Sequence, residues 1–453
     1  MNKTLLSLVL SISFLPAFSQ QDSLLKNFKY RIDHYRAIGL NVSGGGNYRK
    51  FNYPLGNQKY SVSSGGFGAS YYSFKSTDKK QLTTSGALYS SFNSAKSTSV
   101  NDFTKDRNFS ISPSFSVLNK WFSKNNFVEL GAGGNENYSS SKHTGTNYPG
   151  KNSQEQYSIK VNTGIGKGRL ENITDMQNAL WLYQVLMATK SLSRALTAEQ
   201  LNGLGQAITK GNNTRVLDAR KKTQFTLTTV DAYLQQQGLI NKTDINYFSN
   251  LNDILFYAFN APRLSGTEKY IRLTPSITGS DNDQTQANTF YRYKNRFTSK
   301  SIELTSGISK YSPKNLVHQN NYGSFLKLDY ISKDVTFRSV DSTGLITETK
   351  DNGVSKLASI NLFYEHAIYP NTRTIITFNF QSEFGYFKTE FSKGLFGRSS
   401  LYGAINYFIS YRTRLTCNIG AEYQKNTYQI YLGNPGFPEN LNLYANVGVT
   451  ISL

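Results

Sequence analysis

The feature that most constrains the fold of this chain is a strict alternation of apolar and polar residues at its end. Between residues 440 and 453 every second position is apolar, and the positions between carry Asn, Tyr, Gly, Thr or Ser. Successive side chains of a β-strand point to opposite faces, so such a segment has one apolar face and one polar face. The pattern recurs at residues 156–165, 268–277, 301–311 and 401–412. The chain is therefore predicted to consist mainly of amphipathic β-strands.

Two folds use such strands, the soluble sandwich and the transmembrane barrel. The alternating runs are ~10 residues or longer, which is enough to cross a bilayer when tilted, whereas strands of soluble proteins typically have ~5–6 residues. Aromatic residues also gather near the strand ends, as at Trp121-Phe122 and Tyr407-Phe408, like the girdles of membrane barrels. These features favour an all-β transmembrane barrel with about 14 antiparallel strands, an even number as bacterial barrels require.

Composition supports this class and excludes others. Only 38% of the residues are apolar and 17% are charged, below the usual ~45–50% and ~25% of soluble globular chains. The 14% of aromatic residues is too high for a disordered chain, and beyond residue 20 there is no apolar run of ~18 residues. The single cysteine, Cys417, excludes a disulfide framework and is interpreted as a small buried hydrophobe.

The first 20 residues have the features of an export signal. Lys3 gives a positive start, residues 5–15 are mostly apolar, and small residues precede a cleavage position after Ser19 or Gln20. An exported chain with amphipathic strands and no further apolar helix is expected in the bacterial outer membrane.

The rest of the chain divides into three parts. Residues 21–170 are predicted to form the first six strands, residues 171–262 a helical insert, and residues 263–453 about eight further strands. Alternate connections are expected to be short on the periplasmic side and long on the outer side, as in bacterial barrels. The short ones are predicted at residues 76–80, 122–124 and 369–371, and the long ones at 140–154, 339–353 and 430–438.

The insert changes to helical periodicity. Capping boxes are predicted at Thr174–Gln177 and Thr197–Gln200, the second opening a helix that ends at Gly211. Two more helices are expected at residues 214–237 and 243–259, and four amphipathic helices can bury a core of their own. Because the insert follows the sixth strand, it is expected on the periplasmic side. It could plug the barrel mouth or hang below it as a docking domain, and the sequence leaves both open.

A glycine-rich motif leads from the sixth strand into the insert: Gly164, Gly166, Lys167, Gly168 and Arg169. As a phosphate loop it is incomplete and lacks a βαβ unit, so it is interpreted as the exit from a strand. Its position between a barrel strand and a helical insert, with a signal segment ending in Ser-Gln-Gln, resembles uncharacterised outer-membrane β-barrel proteins of Bacteroidota. The resemblance implies architecture and location, and no activity.

The charge balance bears on the lumen. The formal net charge is +21, from 50 basic and 29 acidic residues. A basic lumen would indicate an anion pore, but the charges on the polar faces of the strands are balanced in sign, so we expect a paired lumen. The surplus then lies at turns and rims, where it suits lipopolysaccharide phosphates. The lumen-facing candidates are Lys160, Arg272, Lys327, Arg373, Arg414, Glu303, Asp329, Glu365, Glu383 and Glu422.

The sequence contains no evident catalytic constellation. The four His residues are scattered, and no neighbouring nucleophile or acid–base set accompanies them. Two functions stay open: a porin-like channel or transporter for small solutes, and a non-enzymatic scaffold that acts through its loops and the insert. The expected partners are outer-membrane lipid, lipopolysaccharide, the outer-membrane insertion machinery and a periplasmic protein bound through residues 171–262. No nucleic acid, metal or cofactor is expected.

Overall fold

The computed structural model describes the chain from residue 23 to residue 451 with short gaps, so the predicted signal segment lies outside the described residues. The gaps are residues 54–55, 99–102, 146–148, 217, 257–261, 287–290, 342, 391, 411–412 and 427–438.

The described residues form one antiparallel sheet of 14 strands in sequence order. The strands are β1 (Ile32–Tyr53), β2 (Gly56–Ser76), β3 (Lys80–Thr98), β4 (Phe103–Ser123), β5 (Asn126–Gly145), β6 (Gly150–Asn172), β7 (Leu264–Gln286), β8 (Tyr291–Pro313), β9 (His318–Val340), β10 (Ile346–Asn371), β11 (Thr374–Lys388), β12 (Lys393–Ser410), β13 (Thr413–Asn426) and β14 (Glu439–Ile451).

The strand number and the antiparallel order confirm the prediction of a 14-stranded barrel fold with a helical insert. The predicted long loops are wrong in two places, because the strands continue through them. β5 runs to Gly145 and β6 starts at Gly150, while β10 starts at Ile346. The third predicted loop, residues 430–438, lies outside the described residues.

The two faces of the sheet differ in polarity. On β1 and β14, which pair on one side only among the described residues, Val42 and Val447 are 78% and 74% exposed. We call this apolar side the outer face and the polar side the inner face. On the inner face, Lys120 Nζ of β4 lies 2.7 Å from Glu268 Oε1 of β7. Three strand spacings in a flat sheet would separate those strands by roughly 14 Å, so the sheet curves toward its inner face.

Glycines and aromatic rings pair across neighbouring strands. A Cβ at Gly307 would collide with the ring of Phe325, and a Cβ at Gly420 would collide with Tyr444. Each ring packs against the glycine of the neighbouring strand. The ring thereby covers backbone that the glycine leaves exposed. Such pairs draw on residue types in which the chain is rich, with 35 Gly, 31 Tyr and 29 Phe. Further pairs are Gly65–Phe92, Gly134–Phe115, Gly279–Tyr157, Gly323–Phe363 and Gly385–Phe396.

Five helical segments lie at one end of the sheet, which we call the helix-bearing end. A short segment, α1 (23–27), precedes β1, and the insert between β6 and β7 holds the other four. These are α2 (Thr174–Ala188), α3 (Ala198–Asn213), α4 (Ala219–Gln236) and α5 (Ile245–Phe256). In the described part of the chain, none of the helices is long and apolar enough to cross a membrane.

The helices enclose an apolar core of their own, as four amphipathic helices are able to do. Leu180, Leu204 and Leu234 are fully buried in it. The segment before β1 also contributes, because Leu25 and Phe28 are buried in the same cluster. Residues 23–31, predicted as the start of the barrel, therefore belong to the helical core. We call this unit, with residues 23–31 included, the helical domain.

The capping predictions have different outcomes. Thr197 and Gln200 form the predicted box, in which each side chain accepts a hydrogen bond from the other residue's backbone N–H. The box at Thr174 is wrong, because Thr174 is already inside α2 and Asn172 Oδ1 accepts its N–H instead. Cys417 is exposed on the outer face, so the prediction that it is buried is also wrong.

Candidate functional site on the inner face

A buried cluster of charges occupies the inner face near the helix-bearing end. The Glu129 side chain is fully buried and accepts a hydrogen bond from Arg272 Nη2 at 3.1 Å. Arg272 Nε donates to Glu129 Oε1, and Lys120 Nζ lies 3.8 Å from Glu129 Oε2. Lys120 also donates to both carboxylate oxygens of Glu268, at 2.7 and 2.9 Å. Two acids and two bases thus neutralise one another on strands β4, β5 and β7.

Further candidates also form pairs on this face. Lys327 Nζ lies 2.7 Å from Glu303 and 4.0 Å from Asp329, and Asn321 Nδ2 donates to Glu365 Oε1 at 2.5 Å. Alternation in the sequence assigned these carboxylates, Lys327 and Arg272 to the same face. The ion pairs of Glu303 with Lys327 and of Arg272 with Glu129 agree with the expected paired lumen.

The remaining basic candidates differ from one another. Lys160 lies across Gly133 of β5, and Arg414 Nε is buried with no hydrogen-bond partner among the described residues. Arg373 is not on a strand face, because it lies in the turn between β10 and β11. There its guanidinium contacts Asp253 of α5, which ties the helical domain to this turn.

A cavity of about 550 Å³ on the inner face is lined by residues of six consecutive strands, β9 to β14. Its walls carry amides, hydroxyls and charged groups, with Phe325 and Phe363 stacked at 5.7 Å on one side. Glu383 and Glu422 are the sequence candidates that line it, and Arg398 Nε lies 3.9 Å from Glu383. Such a lining offers hydrogen bonds to a polar solute. The other polar lining residues include Asn361, Gln381, Ser400, Gln424, Asn440 and Asn442.

The glycine-rich motif fits closely against neighbouring groups. A Cβ at Gly164 would lie 2.9 Å from Glu129 Oε1, and one at Gly166 would collide with the ring of Phe127. Gly168 has a φ of 95°, which L side chains rarely adopt, and the Thr267 carbonyl leaves no room for a Cβ. All three glycines lie inside β6, which continues to Asn172, so close neighbouring groups account for them and not an exit from the strand. Lys167 points to the outer face.

The last residue of the motif fixes the entry to the helical domain. Arg169 donates to the Thr77 carbonyl at 2.7 Å and lies 3.0 Å from Glu171. Arg31, just before β1, contacts Glu171 at 2.8 Å and Asp78 at 2.7 Å. The hydrogen bond from Arg31 holds the pKa of the Asp78 carboxyl below its usual range. This network joins the start of β1, the β2–β3 turn and the end of β6.

A second buried arginine fixes the exit from the helical domain. Arg263 is 1% exposed, and its guanidinium donates to Gln319 Oε1, the Leu316 carbonyl and the Asn315 carbonyl at 2.6–2.7 Å. The ring of Tyr369 lies 4.6 Å from its Cζ. Leu316, in the β8–β9 turn, is itself part of the helical core. The helical domain therefore contacts three turns at the same end of the sheet: β2–β3, β8–β9 and β10–β11.

Several residues of the site were missed in the sequence. Lys120, Glu129, Glu268 and Arg398 all occupy inner-face positions, so strict alternation applied to β4, β5, β7 and β12 could have found them. His143 was placed in an outer loop, but it lies in β5 with its Nδ1 2.5 Å from Asp106 Oδ1. Among the described residues no group of three or more His, Cys, Asp or Glu could hold a metal ion.

Comparisons with known proteins give little beyond the fold. No family model and no curated protein matches the chain. Among solved structures it is similar to the β domain of the Bordetella autotransporter BrkA, with 9% identity, coverage of 83% of this chain and 100% of that one, and a TM-score of 0.27.

Two further similar structures are a ferric yersiniabactin uptake receptor from Yersinia pestis and a monoaromatic hydrocarbon channel, TodX. For the receptor the identity is 7%, the coverage 93% of this chain and 66% of that one, and the TM-score 0.32. For the channel the values are 10%, 95% and 91%, and 0.26. At such scores these similarities carry no argument about function. The strands and their two faces define the class, a transmembrane β-barrel with a helical domain at one end.

Proposed function

We propose that the protein is a gated outer-membrane channel or transporter for small polar solutes, exported by a cleaved signal segment, with its helical domain on the periplasmic side. The observation that carries the proposal is the polar inner face with its amide-lined cavity of about 550 Å³. A scaffold that acts only through its surface has no need of such an interior.

Gating is part of the proposal because several inner-face side chains are buried at the helix-bearing end. Phe122 and Phe127 of the inner face are almost fully buried there, beside the Glu129 cluster. On other strands at this end, Ala367 and Ile375 are buried as well. A solute that passes through the barrel therefore needs a displacement of the helical domain.

The paired charges favour weak ion selectivity. Each acid of the Glu129 cluster has a base beside it, and Glu303 has Lys327. A pore without a surplus of one sign does not concentrate either kind of ion. We therefore expect neutral polar solutes such as sugars to enter as readily as anions. A large anion-selective conductance of the intact protein would contradict this.

The proposed gate is the helical domain, and it is tested by crosslinking this domain to the sheet. In a Cys417→Ser background, Asp253→Cys and Arg373→Cys provide two thiols where α5 contacts the β10–β11 turn. A bifunctional thiol crosslinker should lower single-channel conductance in planar bilayers and the uptake of sugars into liposomes. Reduction of a cleavable crosslinker should restore both.

The matched control crosslinks an ion pair at the other end of the sheet. Asp281→Cys and Lys294→Cys replace a 3.2 Å pair between β7 and β8, two strands that already pair. This crosslink should leave conductance unchanged. If the uncrosslinked protein neither conducts nor admits sugars under any condition, the channel proposal fails.

One observation favours the second candidate, a scaffold that docks a periplasmic protein. Ile245 at the start of α5 is 83% exposed, and Phe248 one turn later is also exposed. Apolar groups on a domain that can bury its own core are typical of a contact surface. Ile245→Ser with Phe248→Ser should then abolish capture of a partner by the purified chain while conductance stays the same.

A further inference from the structure

Two lysines face each other on the outer face near the helix-bearing end. Lys167 of β6 and Lys269 of β7 are directly opposite in the ladder, and both are exposed. Among the described residues neither ammonium has a carboxylate within 4.0 Å. Like charges directly opposite each other in a sheet destabilise it. A negative group bound between them would remove this cost.

A groove of about 890 Å³ on the outer face leads away from these lysines. Its floor is low where two small residues, Ser306 and Ser324, replace the large apolar residues of the surrounding outer face. They lie diagonally on adjacent strands, since Ser306 is opposite Leu326 and Ser324 is opposite Ile308. The apolar lining residues are Val128, Ile165, Ile271, Ile308 and Leu326, with Trp121 at one margin.

The groove and the lysines together have the chemistry of a single ligand. The apolar groove lies within the membrane-facing band, where the solvent is acyl chains. Lys167 and Lys269 line the groove together with Trp121, whose indole is suited to the headgroup level. Asn126, opposite Lys167 in the ladder, adds an amide donor. An acyl chain in the groove would place its phosphate at the two ammonium groups.

We propose that this groove binds an anionic glycerophospholipid from the leaflet at the helix-bearing end, with the phosphate between Lys167 and Lys269. The site is independent of the channel, because it lies on the opposite face of the same strands. A second pair of opposed lysines, Lys142 and Lys151, also faces outward, but it lies next to the β5–β6 connection at the other end. Neither of these two lysines lines the groove, so the pair serves as a matched control.

The position of Trp121 makes the test direct. The chain has two Trp residues, and the other, Trp181, lies in α2. In the full chain with Trp181→Phe, Trp121 is the only tryptophan and reports lipids in the groove. The protein is reconstituted in phosphatidylcholine, and brominated phosphatidylglycerol or brominated phosphatidylcholine with the same acyl chains is titrated in while fluorescence quenching is measured.

We expect the anionic lipid to associate about tenfold more strongly than the zwitterionic one, because each lysine near the headgroups attracts negative charge. Lys167→Gln with Lys269→Gln should bring the ratio close to one. Lys142→Gln with Lys151→Gln, which removes the same charge from the same face, should leave the ratio unchanged. All variants are first checked for folding by their heat-modifiable gel mobility.

Four results would overturn the proposal. Equal quenching by both lipids would show that the lysines do not select charge. Displacement of the lipid by inorganic phosphate would assign the site to free anions, and displacement by lipopolysaccharide at equal concentration would assign it to that glycolipid. A loss of quenching on dimerisation of the protein would assign the groove to a second copy of the chain.

Discussion

The sheet and the helical domain treat apolar side chains in opposite ways. In the helical domain, Leu180, Leu204 and Leu234 are fully buried against one another. In the sheet, Leu328 and Ile360 point outward and stay 41% and 43% exposed. Helices of this size bury their apolar faces in a core, whereas the strands direct theirs to the surroundings and their polar groups inward. The helical domain is therefore organised for water and the sheet for lipid.

The sheet and the helical domain also differ in the partners of their buried charged groups. In the sheet, charges such as Glu129 are buried on the inner face and are neutralised by partners on other strands. In the helical domain, a buried carboxylate, Asp175, has only neutral partners: Thr209 and Asn212 donate to it at 2.8 and 2.9 Å. Substitutions in each region should therefore respond to different variables, namely charge pairing in the sheet and pH in the helical domain.

The largest effect is expected from removing the centre of the buried charge cluster. Glu129→Gln leaves Arg272 and Lys120 without their shared carboxylate, and breaking a buried pair in this way costs ~3–5 kcal/mol. The free energy of unfolding of the barrel, measured by urea titration in detergent, should fall by that amount. Helical circular dichroism of the helical domain should change little.

A double variant separates charge pairing from packing at this site. Glu129→Gln combined with Arg272→Met removes both members of the pair and should recover most of the loss, since no unpaired charge then remains. If the double variant is as unstable as the sum of the single variants, the cluster does not act as a pair and the comparison fails.

A smaller effect is expected from reversing the solvent preference of the outer face. Ile360 and Asn361 are neighbours on β10, the first on the outer face and the second lining the inner cavity. Arg at the bilayer midplane of a lipid face costs ~2–4 kcal/mol. Ile360→Arg should lower the unfolding free energy in liposomes by this amount, and Asn361→Arg should lower it much less. Equal losses would mean that the faces are assigned wrongly.

The two regions also differ in how far the sequence predicted them. A period of two is repeated along every strand and has one physical cause, so the strands and the side on which Glu303, Lys327 and Glu383 lie followed from it. The helical domain depends on contacts that are distant in sequence. Nothing local indicated that Phe28 packs beside Gly205, or that the Thr174 N–H donates to Asn172 Oδ1 while α2 begins without a side-chain cap.

Contacts that cross several strands could not be predicted from the sequence for the same reason. Alternation gives the face on which a residue lies, but not its partner. Arg272 was assigned to the interior, yet its pairing with Glu129 depends on the curvature of the sheet across β6. Arg373 was misplaced because the β10–β11 turn ends two residues later than predicted, which moves it off the strand and next to Asp253.

The smallest effect concerns Asp175 and is a dependence on pH. Burial raises the pKa of this carboxyl above its ordinary value, and the hydrogen bonds from Thr209 and Asn212 only partly oppose this. Between the ordinary pKa of the unfolded chain and the raised pKa of the folded chain, the folded helical domain binds more protons than the unfolded one. Its stability should therefore fall as pH rises through this window.

Asp175→Asn removes the titration while keeping the shape of the side chain. The amide oxygen can still accept the hydrogen bond from Asn212. The amide N–H can donate to Thr209 Oγ1, whose single hydrogen then turns from residue 175 to the Gly205 carbonyl, 3.0 Å away. The helical unfolding transition, followed by circular dichroism from pH 4 to pH 8, should lose its downward slope in the variant and lie at or above that of the parent chain at neutral pH. A parallel slope in both proteins would show that Asp175 does not limit the stability of the helical domain. Asp231→Asn is the control, because its carboxylate only accepts hydrogen bonds from Tyr247 and Gln235 near the surface and should leave the slope in place.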